Sequence, residues 1–387
     1  MQDESAVSAP YTQPEILSPA ADRPPRVRLM RPINGDAVMK AVEGCLAVLG
    51  PVVGRDWEGV RGAGREWSCR ETVEHIASDL IAYAGQLAGQ PRDAYVPFYI
   101  KLDDGTDNAG LLEVVRAGGV LLAAAVRTTP PHVRAFHPYP FRSADREGFA
   151  AMGVAEVVLH THDVARALGV EYAPEEGLPE AVLGWLFPHV QPGPAAWPTL
   201  LWATGRGELP GRAPVTEWRW RNNLVLPAER LDLVGLRPAV ARDLRLGGDG
   251  GLDWIEGGPY EGTREAAGFL VKAYEGGVHR PEFGVFALVR KEDGRAVGGI
   301  GFHSAPDEDG RVEIGYDLVE GARGQGYVTE AVRALADWAL ARDDVGSLFA
   351  TVERENTASQ AVLARAGFAR VSEEDGSGAE LAYELRR

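Results

Sequence analysis

The sequence predicts two domains, an all-α four-helix bundle with a small extension, followed by an α/β layer. Three observations lead there. The chain has 387 residues, and single hydrophobic cores stop growing efficiently near roughly 250. Apolar residues recur at three- and four-residue spacing in four segments, 36–49, 68–87, 109–127 and 144–168, which fits an antiparallel bundle. Beyond residue 230 the pattern changes to strand, helices, two strands split by Glu292-Asp293-Gly294, and a further strand running into a glycine-rich turn and a helix, the order of an α/β layer.

Taken in order, residues 1–30 are rich in Ser, Pro, Gln and acids, too polar to offset the entropy of ordering, and read as a tail. Residues 31–228 form the helical domain. Its second helix has a start signal in Ser68-Cys69-Arg70-Glu71, where hydroxyl and carboxylate can satisfy each other's free N–H groups. A shorter helix is expected over 180–186, and the aromatic run 216–221 reads as a strand closing this half. Pro227-Ala228-Glu229-Arg230 is the expected seam, and 229–387 the second domain.

With 45% hydrophobic and 25% charged residues, the chain has a globular composition. A net charge of -16 opposes a surface that tracks phosphates, so a nucleic-acid partner is not expected. Two cysteines, Cys45 and Cys69, form no disulfide framework. The longest purely apolar run is residues 120–126, far short of a bilayer span of about 20 residues. A cytoplasmic location and no membrane partner are expected; the oligomeric state stays open.

Two constellations carry chemistry. In the C-terminal half, strand 312–319 feeds Gly321-Ala322-Arg323-Gly324-Gln325-Gly326-Tyr327, so unpaired N–H groups converge at the positive end of a helix, a cradle for a diphosphate. Some 30 residues on, Asn356-Thr357-Ala358-Ser359-Gln360 precedes an apolar helix ending in Arg365-Ala366-Gly367-Phe368. These residues together resemble the GNAT (Gcn5-related N-acetyltransferase) superfamily, most closely its RimJ/RimL-like branch. The resemblance covers about 155 residues and implies a mixed, mostly antiparallel sheet and acetyl-CoA as cofactor. It also implies that Gly321 to Gly326 and Tyr327 hold the pyrophosphate, that the backbone of Leu318 and Val319 pairs with pantetheine, and that Asn356 touches the cofactor arm. The family's loop usually begins with Gln or Arg; here Gly321 stands there, and Arg323 is the nearest substitute.

Acetyl transfer to an amine needs a base, and an acid for the departing thiolate. Glu313 is the leading base candidate, His303 the second, and Ser359 the candidate acid. Each has a plainer reading, as a strand-surface charge, a loop histidine and a helix-start residue.

In the N-terminal half, Glu156 and His160 are four apart on one helix, and His75 lies on another. That spacing lets Glu156 and His160 reach one ion, with a facing histidine completing a three-ligand site of the catalytic zinc kind; by spacing alone such residues are more often polar edge residues. The segments around His75 and from Glu156 to Gly169 resemble the mycothiol-dependent maleylpyruvate isomerase family within the DinB-like four-helix metalloproteins. Leu200 to Arg206 and Trp218/Trp220 look like that family's small α+β trailing part. The resemblance implies His75, Glu156 and His160 as ligands of Zn2+ or another divalent metal, and mycothiol as a thiol cofactor. Only four of 40 basic residues are Lys, the bias of a GC-rich genome, which fits the actinobacteria that make mycothiol.

The function expected is an acetyl-CoA-dependent N-acetyltransferase acting on the primary amine of a small molecule. A protein N-terminus as acceptor, or a mycothiol-dependent isomerase or S-transferase with an accessory GNAT domain, are the alternatives.

Overall fold

The computed structural model describes residues 33–62, 66–138, 141–371 and 380–387; the expected tail lies outside them. Four long helices pack as a bundle: α1 (Gly35–Leu49), α2 (Cys69–Gly89), α3 (Asn108–Thr128) and α4 (Arg146–Ala167). Each starts where a side chain can cap it. Asn34 accepts from the amides of Asp36 and Ala37, Ser68 and Glu71 close the predicted capping box, and Asp107 and Asp145 cap α3 and α4. Such caps satisfy amides that have no partner inside the helix. α1 and α3 approach closely at Gly119, where a Cβ would sit 2.7 Å from Val42.

α4 is the central helix. Every residue from Gly148 to Thr161 is buried, so it carries no solvent stripe and takes Glu156 and His160 into the interior. α3 is long and apolar enough to cross a bilayer by length and composition. Here it lies against α1, α2 and α4, with Leu111, Val115, Leu122 and Ala123 buried among them. A two-residue ladder pairs β1 (Arg134–Ala135) with β2 (Ala144–Asp145), and two shorter helices, α5 (Gly177–Leu186) and α6 (Ala196–Ala203), follow α4.

The aromatic run 216–221 forms no strand, contrary to its alternating pattern. Trp218 and Trp220 stack 4.9 Å apart, and both rings lie near Phe187, at 6.1 and 5.9 Å. The aromatic residues pack onto the end of α5, where the bundle offers no sheet edge to pair with.

The C-terminal unit is one eight-stranded sheet. Its elements are β3 (Val225–Pro227), β4 (Leu231–Gly235), α7 (Pro238–Arg245), α8 (Glu261–Glu275), β5 (Val285–Arg290), β6 (Ala296–Phe302), β7 (Arg311–Leu318), α9 (Tyr327–Leu340), β8 (Ser347–Glu353), α10 (Thr357–Arg365), β9 (Ala369–Arg370) and β10 (Glu380–Arg386). The strand order is β3-β4-β5-β6-β7-β8-β10-β9. All neighbours are antiparallel except β7 and β8, so the sheet is mixed and mostly antiparallel. It begins at Val225, slightly ahead of the seam read from the sequence.

Both faces are covered, which explains the unbroken apolar run of β5. Val285 and Ala287 join the core under α7 and α8, whereas Phe286 and Leu288 join the one under α9, as a period of two requires. β7 pairs with β8 only through Arg311 to Glu313, opposite Ser347 to Phe349. Beyond that point β8 continues along β10, and β7 along β6. The two strands therefore part, and a cleft opens between them.

The two units meet through Arg221, paired with Glu282 at 2.9 Å, and through the Tyr274 hydroxyl, which donates to the Val190 carbonyl at 2.9 Å. His189 and His279 are enclosed in the same seam, and burial pushes each down to about 4 from 6.5. Below pH 6.5 the unfolded chain takes up protons that the folded seam refuses, so stability is present above that pH and falls toward pH 4. At most about 3 kcal/mol per histidine is involved. We expect the thermal midpoint to fall across this window, and a His189→Leu/His279→Leu variant to lose part of that slope in melts from pH 7 to 4; an unchanged slope would contradict the assignment.

Candidate functional site

The cleft between β7 and β8 has a volume of about 380 Å³ and is bordered by Phe269, His303, Gly315, Tyr316, Asn356 and Ser359. Backbone direction in β7 follows from its ladder with β6. Val319 N–H donates to Val297, and Glu313 C=O accepts from His303 N–H, so the odd-numbered residues between them face β6. The C=O of Ile314, both groups of Tyr316 and the N–H of Leu318 therefore face the cleft, while the Leu318 C=O accepts from Arg323 Nε at 3.4 Å. Val319 has its N–H bonded to the Val297 carbonyl, and its C=O accepts from Ala322 N–H.

The turn after β7 has a short 3-10 segment (Glu320–Ala322), then Arg323, Gly324 and Gln325, and Gly326 as the uncapped N-terminus of α9. Gly324 and Gly326 adopt φ of 75° and 81°, a region that favours glycine. A Cβ at Gly321 or Gly324 would meet nothing, so the loop surface is open to an incoming group. Ala322 is a core residue, fully buried. The first-turn amides of α9, from Tyr327 on, have no intrahelical acceptor and lie at its positive end.

Arg230 and Glu330, which are not among the site residues read from the sequence, hold this loop. Arg230 donates to the Gln325 carbonyl at 3.0 Å, pairs with Glu330 at 2.8 Å, and lies 4.7 Å from the Tyr327 ring centre. Gln325 braces the turn by donating to Gly321 C=O at 3.2 Å, while Arg323 lies over the Tyr260 ring at 5.2 Å. Asn356 borders the cleft, and its side-chain oxygen caps α10 by accepting from Ser359 N–H at 3.0 Å.

The three predicted acid–base residues all border or adjoin this cleft. His303 Nδ1 lies 3.1 Å from Glu313 Oε2, and Thr351 Oγ1 donates to Glu313 Oε1 at 3.1 Å. The hydrogen bond from His303, against some burial, holds the Glu313 carboxyl below its ordinary range. His303 Nε2 faces Gly315, where any Cβ would come within 2.7 Å of it. Strand alternation places Glu313, Gly315 and Asp317 toward α8, and Ile314, Tyr316 and Leu318 toward α9. Tyr316 correspondingly donates to the Ser359 carbonyl at 3.3 Å, and burial pushes its hydroxyl up to about 12. His303 and Ser359 thus approach the opening from opposite sides of the sheet.

Asp317 fixes α8 against the strands. Its carboxylate accepts from Thr263 N–H at 2.7 Å, Thr263 Oγ1 at 2.6 Å and Gly299 N–H at 3.0 Å. Burial pushes this carboxyl up, and those three bonds pull it back. Asp317→Ala leaves three donors without their acceptor. Chemical denaturation should show a loss of roughly 2–4 kcal/mol, and a change under 1 kcal/mol would contradict this role.

In the bundle, α2 and α4 bring His75, Glu156 and His160 together, with ligand atoms all within 4.8 Å of one another. Glu156 Oε2 lies 3.0 Å from His160 Nε2 and 3.4 Å from His75 Nε2. Burial alone would raise the Glu156 carboxyl, but bonds from both imidazoles hold it well below the usual range. His160 Nδ1 lies 3.2 Å from Asp163, whose carboxylate is clamped by Arg206 at 2.9 Å. That leaves Nε2 facing the triad, the orientation a metal-ligating histidine needs. Asp79, 3.3 Å from His75, is pushed up to about 7 by burial and the nearby Glu156 charge. Two imidazole nitrogens and one carboxylate suit a zinc-like divalent ion.

Residues 231–369 match the acetyltransferase (GNAT) domain family. Two curated relatives are similar over part of their length. The uncharacterized N-acetyltransferase YjdG of Bacillus subtilis (strain 168) is 40% identical over 86 residues, 22% of this chain and 51% of that protein. The uncharacterized N-acetyltransferase p20 of Bacillus licheniformis is 38% identical over 78 residues, 20% of this chain and 44% of that one. The chain thus spans about half the length of the curated relatives it matches. Among solved structures, RimL, a ribosomal L7/L12 alpha-N-protein acetyltransferase in complex with coenzyme A, is 20% identical with a TM-score of 0.32, covering 42% of this chain and 97% of that one. The C-terminal unit is a GNAT-family acetyltransferase domain.

Proposed function

We propose that the chain transfers an acetyl group from acetyl-CoA to the primary amine of a small cationic molecule. The observation that carries this reading is the parting of β7 and β8 beside the uncapped, glycine-lined start of α9. The amides of Gly324, Gln325, Gly326 and Tyr327 face a pyrophosphate, with Gly321 leaving room and Arg323 beside it. The Leu318 backbone and the cleft-facing groups of β7 take the extended arm, and Asn356 lies along its path.

When bound, the thioester supplies an acyl carbon open to attack. His303 serves as the base: Glu313 accepts a hydrogen bond from Nδ1–H, which leaves the Nε2 lone pair free to remove a proton from the attacking amine. Glu313 orients it, because a carboxyl held low is a weak base. This reverses the order of the two candidates in the sequence. Ser359, on the opposite side, donates toward the departing thiolate. Glu265, Glu353 and Glu380 also border the cleft, which favours a cationic acceptor.

His303→Ala should lower kcat/KM by roughly 10²–10⁴ while calorimetry shows coenzyme A affinity unchanged; an undiminished rate would remove His303 from the reaction. A panel of small amines and of peptides with free N-termini, followed by thiol release, tests the acceptor class. Turnover of peptides alone would replace the small molecule with a protein N-terminus.

A second reading concerns the bundle, and the convergence of His75, Glu156 and His160 supports it. These residues bind a divalent metal, zinc in the first instance, leaving open positions that a thiol such as mycothiol could take. Elemental analysis should find about one equivalent of zinc per chain, lost in His75→Ala with acetyl transfer intact. Retention of the metal in that variant would overturn the site, and loss of both activities would couple the two units.

A further inference from the structure

A second cavity, of about 320 Å³, lies at the seam between the two units and plays no part in the cleft. α5 and the segment after it form one wall, with Leu183, Phe187 and Val190; the start of α7 and Tyr274 of α8 form the other. Most of this lining is apolar. At its α7 end, however, two features that favour negative charge coincide.

The first is Arg237, which borders the cavity and is 8% exposed. Its guanidinium lies 4.1 Å from the centre of the Trp185 ring, and its Nη2 is buried with no hydrogen-bond partner. The nearest acids are committed elsewhere: Asp145 pairs with Arg134 at 3.2 Å and Glu147 with Arg146 at 2.8 Å. Burial accordingly pushes Arg237 down to about 10. A buried cation without a counter-ion is costly, and stacking on an indole offsets only part of that cost.

The second is the N-terminus of α7. Arg237 itself occupies the cap position, no side chain caps the helix, and Pro238 stands in the first turn. Pro238 and Ala239 both border the cavity. Pro238 has no N–H to offer, so the free Ala239 amide at the positive end of the helix and the Arg237 guanidinium meet at one end of an apolar pocket.

We propose that this seam cavity binds a small amphipathic carboxylate, with its anionic head on Arg237 and the Ala239 amide of α7 and its apolar body against Leu183, Phe187 and Val190. Such a ligand supplies the missing counter-ion and bridges the two units.

The test is calorimetry on the full chain with octanoate, and with octanamide as the neutral control of the same length. One saturable site is expected for octanoate, with octanamide at least about tenfold weaker, the difference a charge-assisted bond makes. Arg237→Met should bring octanoate down to the octanamide level. Gly184→Phe, which places a ring in the cavity and leaves Arg237 in place, should abolish binding of both in a chain whose melting temperature is unchanged. Equal affinity for acid and amide, no saturable binding, or octanoate binding unaffected by Gly184→Phe would each overturn the proposal, including when Arg237→Met does not fold.

Discussion

The constraint on which the C-terminal unit depends is the loss of pairing between β7 and β8 after Glu313. A sheet interior normally pairs its backbone polar groups, and leaving them free is costly unless something else meets them. Here the gap is made by geometry on both sides: β10 holds β8 along its whole length, and β6 holds β7. Asp317 then anchors α8 over one side of the opening, and Arg230 with Glu330 anchors the glycine turn at its far end. The free backbone groups beside the start of α9 are consequences of one divergence.

The bundle solves a different problem by similar means. α4 is buried on all sides, so Glu156 and His160 can be kept in the interior only if their polar atoms are met. His75 from α2 and the Asp163–Arg206 pair meet them. The result is an oriented set of nitrogen and oxygen donors in a low-dielectric setting, which is what a metal site requires.

Much of this could be read from the residues because the signals are local. Ser68 and Glu71 mark a helix start, the four-residue spacing of Glu156 and His160 fixes one face, and the Gly321 to Gly326 turn precedes a helix in any plausible arrangement. The bundle, the shared face of Glu156 and His160 and the turn into α9 follow from such signals, whereas the sheet class and the place of His75 come from the family resemblances. What could not be read depends on partners far away in sequence. The alternating aromatic residues at 216–221 look like a strand, yet no sheet edge is near them, and Phe187 takes their rings instead. Val319 looks available until the ladder with Val297 is known. The relation of His303 to Glu313 depends on two strands being in register, and the isolation of Arg237 beside Trp185 depends on how two units meet.

The central claim is that the backbone amides of the turn into α9, together with the open edge of β7, receive coenzyme A. Hydrogen–deuterium exchange of the full chain with and without coenzyme A addresses it at the level of those amides. The account predicts slowed exchange in peptides covering 314–318 and 321–329, with the bundle peptides unchanged. Protection that appears elsewhere, or none at saturating coenzyme A, would contradict it.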